Sequence, residues 1–449
     1  MIRSARNGTA SAISLILIAS AASRGAIAQE IGGLAGPRAN DNEAPAYVVL
    51  NSRLERSDNV RRVSDGEESD TLASLGLGIN YGYAGPRLSA VALGDLSYVE
   101  YLDNTYSGRL AGNFDGQAIW GKNTDLLQWQ LEDVFGQTRT DALASATPDN
   151  LQNVNVISTG PTINLRFGQT FVALDGRYAD QSYESGDLDS RRLTGAASVG
   201  RSLSEKSSLS LNAQVERLKY DDSVGNADYD TRQYFVRYRS ELGRNNISSD
   251  LGYTEVEIDG SKPSGGALAR VDIDRRISAS SSVFIGGRMQ FSSSADALRM
   301  DRGSTGSRPD SEAPLAASDP FRQREVIGGW RTERSRTSLT LSASRSEERY
   351  EKSTQLDRDV TQLQVELGRH IAPTLWLRTE ARYQKEEFVN VDAAAKELTL
   401  SAELRKSLGR KVSLSLRYEY NDHSGNGGAA EYKENLIMLY FDFLAAGRR

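Results

Sequence analysis

The chain has 449 residues with two histidines and no cysteine, which leaves few places for catalysis or metal binding. His370 adjoins a tight turn at Ala372-Pro373, whereas His423 precedes a glycine-rich stretch, so the two are expected at opposite ends of the fold. Asp422-His423-Ser424 supply the residue types of an orienter, a base and a nucleophile, but they are consecutive. Neighbours on an extended strand point to opposite faces, which spoils the convergence such a set requires. The run from Asp221 to Asp230 offers carboxylate oxygens for Ca²⁺ but lacks EF-hand spacing, so a solvated turn is expected there. No catalytic residue, metal or cofactor is expected, and an enzyme acting through His423 ranks last among the readings.

Charged residues collect instead on one face of alternating segments. Leu375, Leu377, Ala381 and Tyr383 oppose Trp376, Arg378, Glu380, Arg382 and Gln384; Leu398, Leu400, Ala402 and Leu404 oppose Glu397, Thr399, Ser401, Glu403 and Arg405; Val412, Leu414, Leu416, Tyr418 and Tyr420 oppose Ser413, Ser415, Arg417 and Glu419. If the aliphatic face meets lipid, Arg378, Arg382, Arg417, Arg237 and Arg239 point inward with Glu366, Glu380, Glu403 and Glu419. Two readings of such an interior stay open: ion pairs that brace the wall, or a polar track on which arginines grip the carboxylates of a hydrated polymer. Arg217 breaks the rule by sharing the face of Leu209, Leu211, Ala213 and Val215, which places it near the outer headgroups, with lipopolysaccharide phosphate as a candidate partner.

The elements that position these residues are long strands. Each one-faced run reaches about ten residues, the length of a tilted membrane strand, where strands of soluble sandwiches are about half that. A cation, an aliphatic residue two positions later and another six further on recur as Arg201/Leu203/Leu209, Arg275/Ile277/Val283, Arg369/Ile371/Leu377 and Lys406/Leu408/Leu414. The central aliphatics are 74, 94 and 37 residues apart, which fits a hairpin unit of 37, twice that, and twice that plus an insertion of 20. Residues 301–320, rich in Gly, Ser, Pro and Asp, supply that insertion as a long loop. Tight connections such as Phe167-Gly168-Gln169 and Gly243-Arg244-Asn245 alternate with longer polar ones such as 57–70, 139–150 and 221–228, the asymmetry of an outer-membrane barrel. The expected fold is therefore all-β: a single transmembrane antiparallel up-and-down β-barrel of about 18–20 strands spanning residues 46–444, with a tail at 445–449.

Tyr98, Tyr101, Tyr106, Tyr183, Tyr220, Tyr229, Tyr350 and Tyr420 gather near the long connections, where an interfacial girdle would place them. Arg217, Tyr220, Tyr420, Phe441 and Phe443 are accordingly the candidate membrane-interface residues. Lys433, Asn435, Ile437, Leu439, Phe441 and Phe443 share a face of the last strand, and the paired terminal aromatics resemble the C-terminal signal read by the outer-membrane assembly machinery. Arg3 and Arg6 precede an uncharged stretch and an Ala26-Ile27-Ala28 site, so residues 1–28 read as a cleaved signal peptide and 29–45 as a flexible periplasmic leader. Removing 1–28, with its three arginines and no acid, takes the net charge from −6 to −9 and argues against a nucleic-acid role.

Asp133-Val134-Phe135-Gly136-Gln137-Thr138, followed by Pro148-Asp149-Asn150-Leu151-Gln152-Asn153-Val154-Asn155 and Ser158-Thr159-Gly160-Pro161, resembles the β-barrel porin group associated with exopolysaccharide and PEP-CTERM gene systems. That resemblance implies a barrel of the Gram-negative cell outer membrane that passes or accommodates polysaccharide, and it brings no catalytic residue. On the residues alone, Pro148-Asp149-Asn150 turns the chain and Gly160-Pro161 suggests a bulge or bend within a strand. The expected partners are outer-membrane lipid and lipopolysaccharide, the assembly machinery and exopolysaccharide. A channel for a large polar solute leads the readings, closely followed by a structural barrel closed by side chains or by the 301–320 loop.

Overall fold

Strict alternation leaves each segment one aliphatic and one polar face, and a closed sheet lets the first face outward without leaving any strand edge unpaired. The computed structural model describes residues 47–447 apart from 123, 222–224 and 301–312. The expected signal peptide, leader and first part of the 301–320 loop lie outside the described residues. Twenty antiparallel strands follow one another: β1 (Tyr47–Ser57), β2 (Asp70–Ala84), β3 (Leu88–Tyr101), β4 (Arg109–Trp120), β5 (Leu127–Arg139), β6 (Leu151–Phe167), β7 (Thr170–Tyr183), β8 (Ser190–Ser204), β9 (Ser207–Tyr220) and β10 (Tyr229–Leu242). They continue as β11 (Asn245–Ile258), β12 (Ser264–Ser278), β13 (Ser281–Ser292), β14 (Phe321–Arg334), β15 (Thr337–Tyr350), β16 (Arg358–Ala372), β17 (Leu375–Phe388), β18 (Ala394–Ser407), β19 (Val412–Asn426) and β20 (Tyr432–Gly447). Each pairs with its sequence neighbours, and β1 pairs with β20 from Tyr47↔Gly447 to Ser57↔Leu436, which closes the barrel. The last strand thus runs into the segment expected as a tail.

Strands of 11 to 17 residues are joined by tight turns at one end and by longer connections at the other, as the sequence pattern predicts. The repeated triplet has a simple geometric meaning. Its cation and its second aliphatic are cross-strand partners beside a tight turn, as in Arg201↔Leu209, Arg275↔Val283, Arg369↔Leu377 and Lys406↔Leu414. Leu209, Leu211 and Val215 of β9, Leu363 and Val365 of β16, and Leu414 and Leu416 of β19 lie exposed on the outer wall. The opposite parity on the same strands carries the polar residues and lines the lumen.

Gly160-Pro161 does not form a bulge. Thr159↔Tyr178 and Thr162↔Asp175 keep one register across it, so the β6–β7 ladder merely lapses for two residues. Proline brings no N–H to the ladder, and the Arg177 guanidinium fills the lapse by donating to the carbonyl oxygens of Pro161 at 2.9 Å and Gly176 at 3.0 Å.

Candidate functional site, a charged lumen beneath a folded-in loop layer

All nine lumen candidates fall on inward parity. Arg237 lies opposite Asp250 of β11 and forms a two-pronged pair with it, Nε to Oδ1 at 2.7 Å and Nη2 to Oδ2 at 2.8 Å. Arg270 of β12 joins the same carboxylate at 3.3 Å, and Arg239 sits two positions nearer the turn, opposite Ser248. On the other wall Glu366 pairs with Arg378 at 2.9 Å, Arg382 with Glu380 at 3.5 Å and Arg417 with Glu419 at 2.6 Å. Glu403 is the cross-strand neighbour of both Arg378 and Arg417. These pairs run along one strand or between adjacent strands, so they hold the wall and do not reach across the lumen.

The interface candidates divide. Phe441 and Phe443 are exposed on the outer wall, Tyr420 shares that face opposite Leu400, and Arg217 faces outward 3.8 Å from Asp230. Tyr220 does not belong with them. It has the parity of Leu218, points inward, and its hydroxyl donates to the Ser318 carbonyl oxygen at 2.6 Å. The proposed girdle fails in the same way elsewhere: Tyr101, Tyr183, Tyr229 and Tyr350 are buried inside the loop end. Tyr98 is exposed on the outer wall, together with Tyr178, Tyr234, Tyr253 and Tyr418.

The reason is that the loop end is filled. The β4–β5 ladder stops at Phe114↔Phe135, while β5 and β6 stay paired to Arg139↔Leu151. Freed from β4, the tip of the β5–β6 hairpin folds over the lumen with the 140–150 connection. Arg109 follows it, donating to the carbonyl oxygens of Pro148 at 2.7 Å and Leu151 at 3.2 Å. Asn150 organises the connection: its Oδ1 accepts from Thr140 Oγ1 and Asp141 N–H, and its Nδ2 donates to the carbonyl oxygens of Asp141, Ala144 and Ser145, all at 2.7 to 3.2 Å.

Contacts to distant strands pin this tip. Arg139 of β5 reaches Glu386 of β17 at 3.5 Å, and Glu386 also holds Arg358 at 2.5 Å. Arg62, in the β1–β2 connection with φ 54°, donates to the Ala146 carbonyl oxygen at 2.6 Å and pairs with Glu434 of β20 at 3.0 Å. A cavity of about 20 Å³, room for one water, lies where Arg139, Glu386, Glu397, His423 and Tyr432 meet. His423 stacks on Tyr432 with ring centroids 5.0 Å apart and shares Nδ1 with the Ala430 carbonyl oxygen at 2.7 Å. By strand parity Asp422 and Ser424 face outward, away from it.

A second layer comes from the described parts of the β13–β14 connection. Helix α1 (Ser294–Met300) opens with a Ser293/Asp296 capping box, and Ala295 packs against Val134, Val154, Val156 and Tyr183. Asp296 pairs with Arg192 of β8 at 2.6 Å. The returning chain lies beside β5, with Arg139 N–H donating to Pro314 O and Ala316 N–H to Arg139 O, both at 2.8 Å. Two further apolar clusters, around Leu218, Tyr229 and Val256 and around Leu72, Val99 and Tyr101, complete the layer. In the β7–β8 connection burial, helped by repulsion from Asp221, Asp180 and Asp187, pushes the Asp189 carboxyl up.

Arg139, Glu386, Arg192, Asp296 and Asn150 were not among the candidates from sequence. The Ser-x-x-Asp signature at Ser293 and Asp296 is a helix start legible in the chain. The Arg139–Glu386 pair joins residues far apart in sequence and on opposite walls, so no local pattern announces it.

The solved structures most similar in shape include the siderophore receptors PirA of Acinetobacter baumannii (TM-score 0.47, 8% identity) and of Pseudomonas aeruginosa (TM-score 0.44, 11% identity), each match covering 89% of this chain and 80% of the other. OccK2 of Pseudomonas aeruginosa, crystallised with glucuronate, matches at TM-score 0.40 and 13% identity over 89% of this chain and 98% of its own. No curated protein sequence matches. Residues 329–443, the late hairpins and not the 133–161 stretch, match the family model described as Putative beta-barrel porin 2, and the chain folds as an outer-membrane-type β-barrel.

Proposed function

We propose that this barrel is an outer-membrane channel for a large, hydrated polar solute, with exopolysaccharide as the substrate class, and that the folded-in hairpin tip together with helix α1 is its gate. The observation that carries this reading is the change in the lumen along its axis. In the middle, inward charges pair only with neighbours on the wall, some about 30% exposed, as Glu366 and Arg378, and others buried, as Arg237 and Asp250; at the loop end, Arg192 and Glu386 are buried against Asp296 and Arg139 of the folded-in chain. A wall whose charges already pair with each other needs no filling for its stability, whereas the layer above it is attached to distant strands by ion pairs and hydrogen bonds, with the apolar contacts around Ala295 beside them. Polar attachments of that kind can exchange partners with water or with a polyanion when the layer moves.

The exopolysaccharide assignment rests on the resemblance of residues 133–161, and those residues build the gate itself. No chemistry is proposed for His423. Single-channel recording of the refolded protein tests the reading. The intact barrel should open rarely, and a variant with 140–149 replaced by a short glycine turn should conduct steadily, with conductance reduced by added anionic polysaccharide. Silence in both proteins would leave a structural barrel as the better account.

A further inference from the structure

We propose that the turn end of the barrel binds the headgroups of anionic phospholipids through an arc of outward-facing cations between β8 and β18. Arg201, Arg275, Arg369 and Lys406 are all exposed and share the outer face with their cross-strand partners Leu209, Val283, Leu377 and Leu414. Arg334 and Arg336 add to the arc beside Arg369, since Thr337 pairs with both Arg334 and Arg369.

Three observations point to a lipid. First, among the described residues none of these six cations has a carboxylate within ion-pair distance, whereas Arg56, Arg61, Arg62, Arg191 and Arg217 at the loop end all do. Second, the repeated cations are bracketed by apolar surface on both sides. Two positions further toward each turn stand Leu203, Ile277, Ile371 and Leu408, each about half exposed. A cation set within the edge of an apolar band is costly unless its head reaches a headgroup. Third, a ligand for such a surface must offer a negative group beside hydrocarbon, which an anionic phospholipid does and a soluble anion does not. The recurrence of the triplet then acquires a second meaning: it repeats a half-site for lipid at four of the turns.

Tryptophan fluorescence reads this surface directly. Of the four tryptophans, Trp120, Trp129 and Trp330 face outward in the turn half, and Trp376 faces the lumen. The full-length protein is placed in phosphatidylcholine bilayers containing increasing fractions of brominated phosphatidylglycerol or brominated phosphatidylcholine, and quenching is measured. The expected result is half-quenching at a several-fold lower mole fraction of the anionic lipid. That preference should fall to parity in about 0.5 M NaCl, where screening is strong, and in the combined Arg201→Gln, Arg275→Gln, Arg369→Gln and Lys406→Gln variant. Arg217→Gln at the other end should keep it.

If the fourfold variant fails to fold, the pairs Arg201→Gln/Arg275→Gln and Arg369→Gln/Lys406→Gln are each expected to lose part of the preference. Equal quenching by both lipids in the native protein, or a preference that survives the substitutions, overturns the proposal. Loss of the preference on adding inorganic phosphate at constant ionic strength would assign the arc to a soluble anion and overturn the proposal as well.

Discussion

The two halves of the lumen use the same strands and the same alternation, yet they are built differently. In the turn half, inward charges pair with neighbours on the wall, some of them about 30% exposed, as in Glu366–Arg378, and others buried, as in Arg237–Asp250. In the loop half, inward positions carry Tyr101, Tyr183, Tyr229, Leu218, Val154 and Val256, all buried, Tyr183 and Val154 in a cluster with α1 and the others in clusters with neighbouring strands and connections. A barrel of twenty strands is too wide for wall side chains to fill, so an apolar inner face is tolerated only where something else covers it. The comparison teaches that inward tyrosines and aliphatics at one end of a porin-sized barrel signal a folded-in layer, whereas inward charges paired along the wall signal a stretch that needs no such cover.

Removing the layer's attachments should separate the halves most sharply. The double variant Arg62→Ala/Arg139→Ala deletes the contacts to Ala146, Glu434 and Glu386 and should raise the open probability in bilayer recordings by an order of magnitude or more, while the barrel keeps its resistance to heat and detergent on unboiled gels. A barrel that loses that resistance would show the layer to be structural. Attacking the other half should do the reverse. Asp250→Ala leaves Arg237 and Arg270 without their shared carboxylate, and breaking such a buried pair should cost about 3–5 kcal/mol, read as a lower urea midpoint with open probability unchanged.

A smaller effect is expected from Asn150→Ala. Five hydrogen bonds of the 140–150 connection converge on that side chain, and losing them should cost the connection about 1–3 kcal/mol, seen as flickering openings and faster amide exchange there. Protection confined to its native level would mean that Arg109 and Arg139 hold the tip unaided. The least consequence should follow from Arg217→Gln on the outer wall. Its pair with Asp230 is exposed and 3.8 Å long, so stability should move by less than about 1 kcal/mol in equilibrium unfolding.

Much of this was legible in the chain. Leu398, Leu400 and Leu404 against Glu397, Glu403 and Arg405 fix which residues share a face, and each strand's face is a local property with a period of two. The 37-residue repeat marked the tight turns correctly, and the inward charges of β10 and β16–β19 lie where the alternation put them. Tyr220 shows where that reasoning ends. Its parity with Leu218 was available, but residues near a loop were read by their height along the strand and not by the side on which they point.

What the sequence by itself determined, then, is the closed barrel, its two ends and the polarity of each wall, because these follow from one-residue alternation and from turn chemistry repeated along the chain. Only the tertiary structure decided that the β5–β6 tip parts from β4 and closes the loop end. That choice depends on Arg139 meeting Glu386, Arg62 meeting Ala146 and α1 meeting β5–β8, contacts between segments remote in sequence, and a periodic pattern carries no information about which remote surfaces will meet.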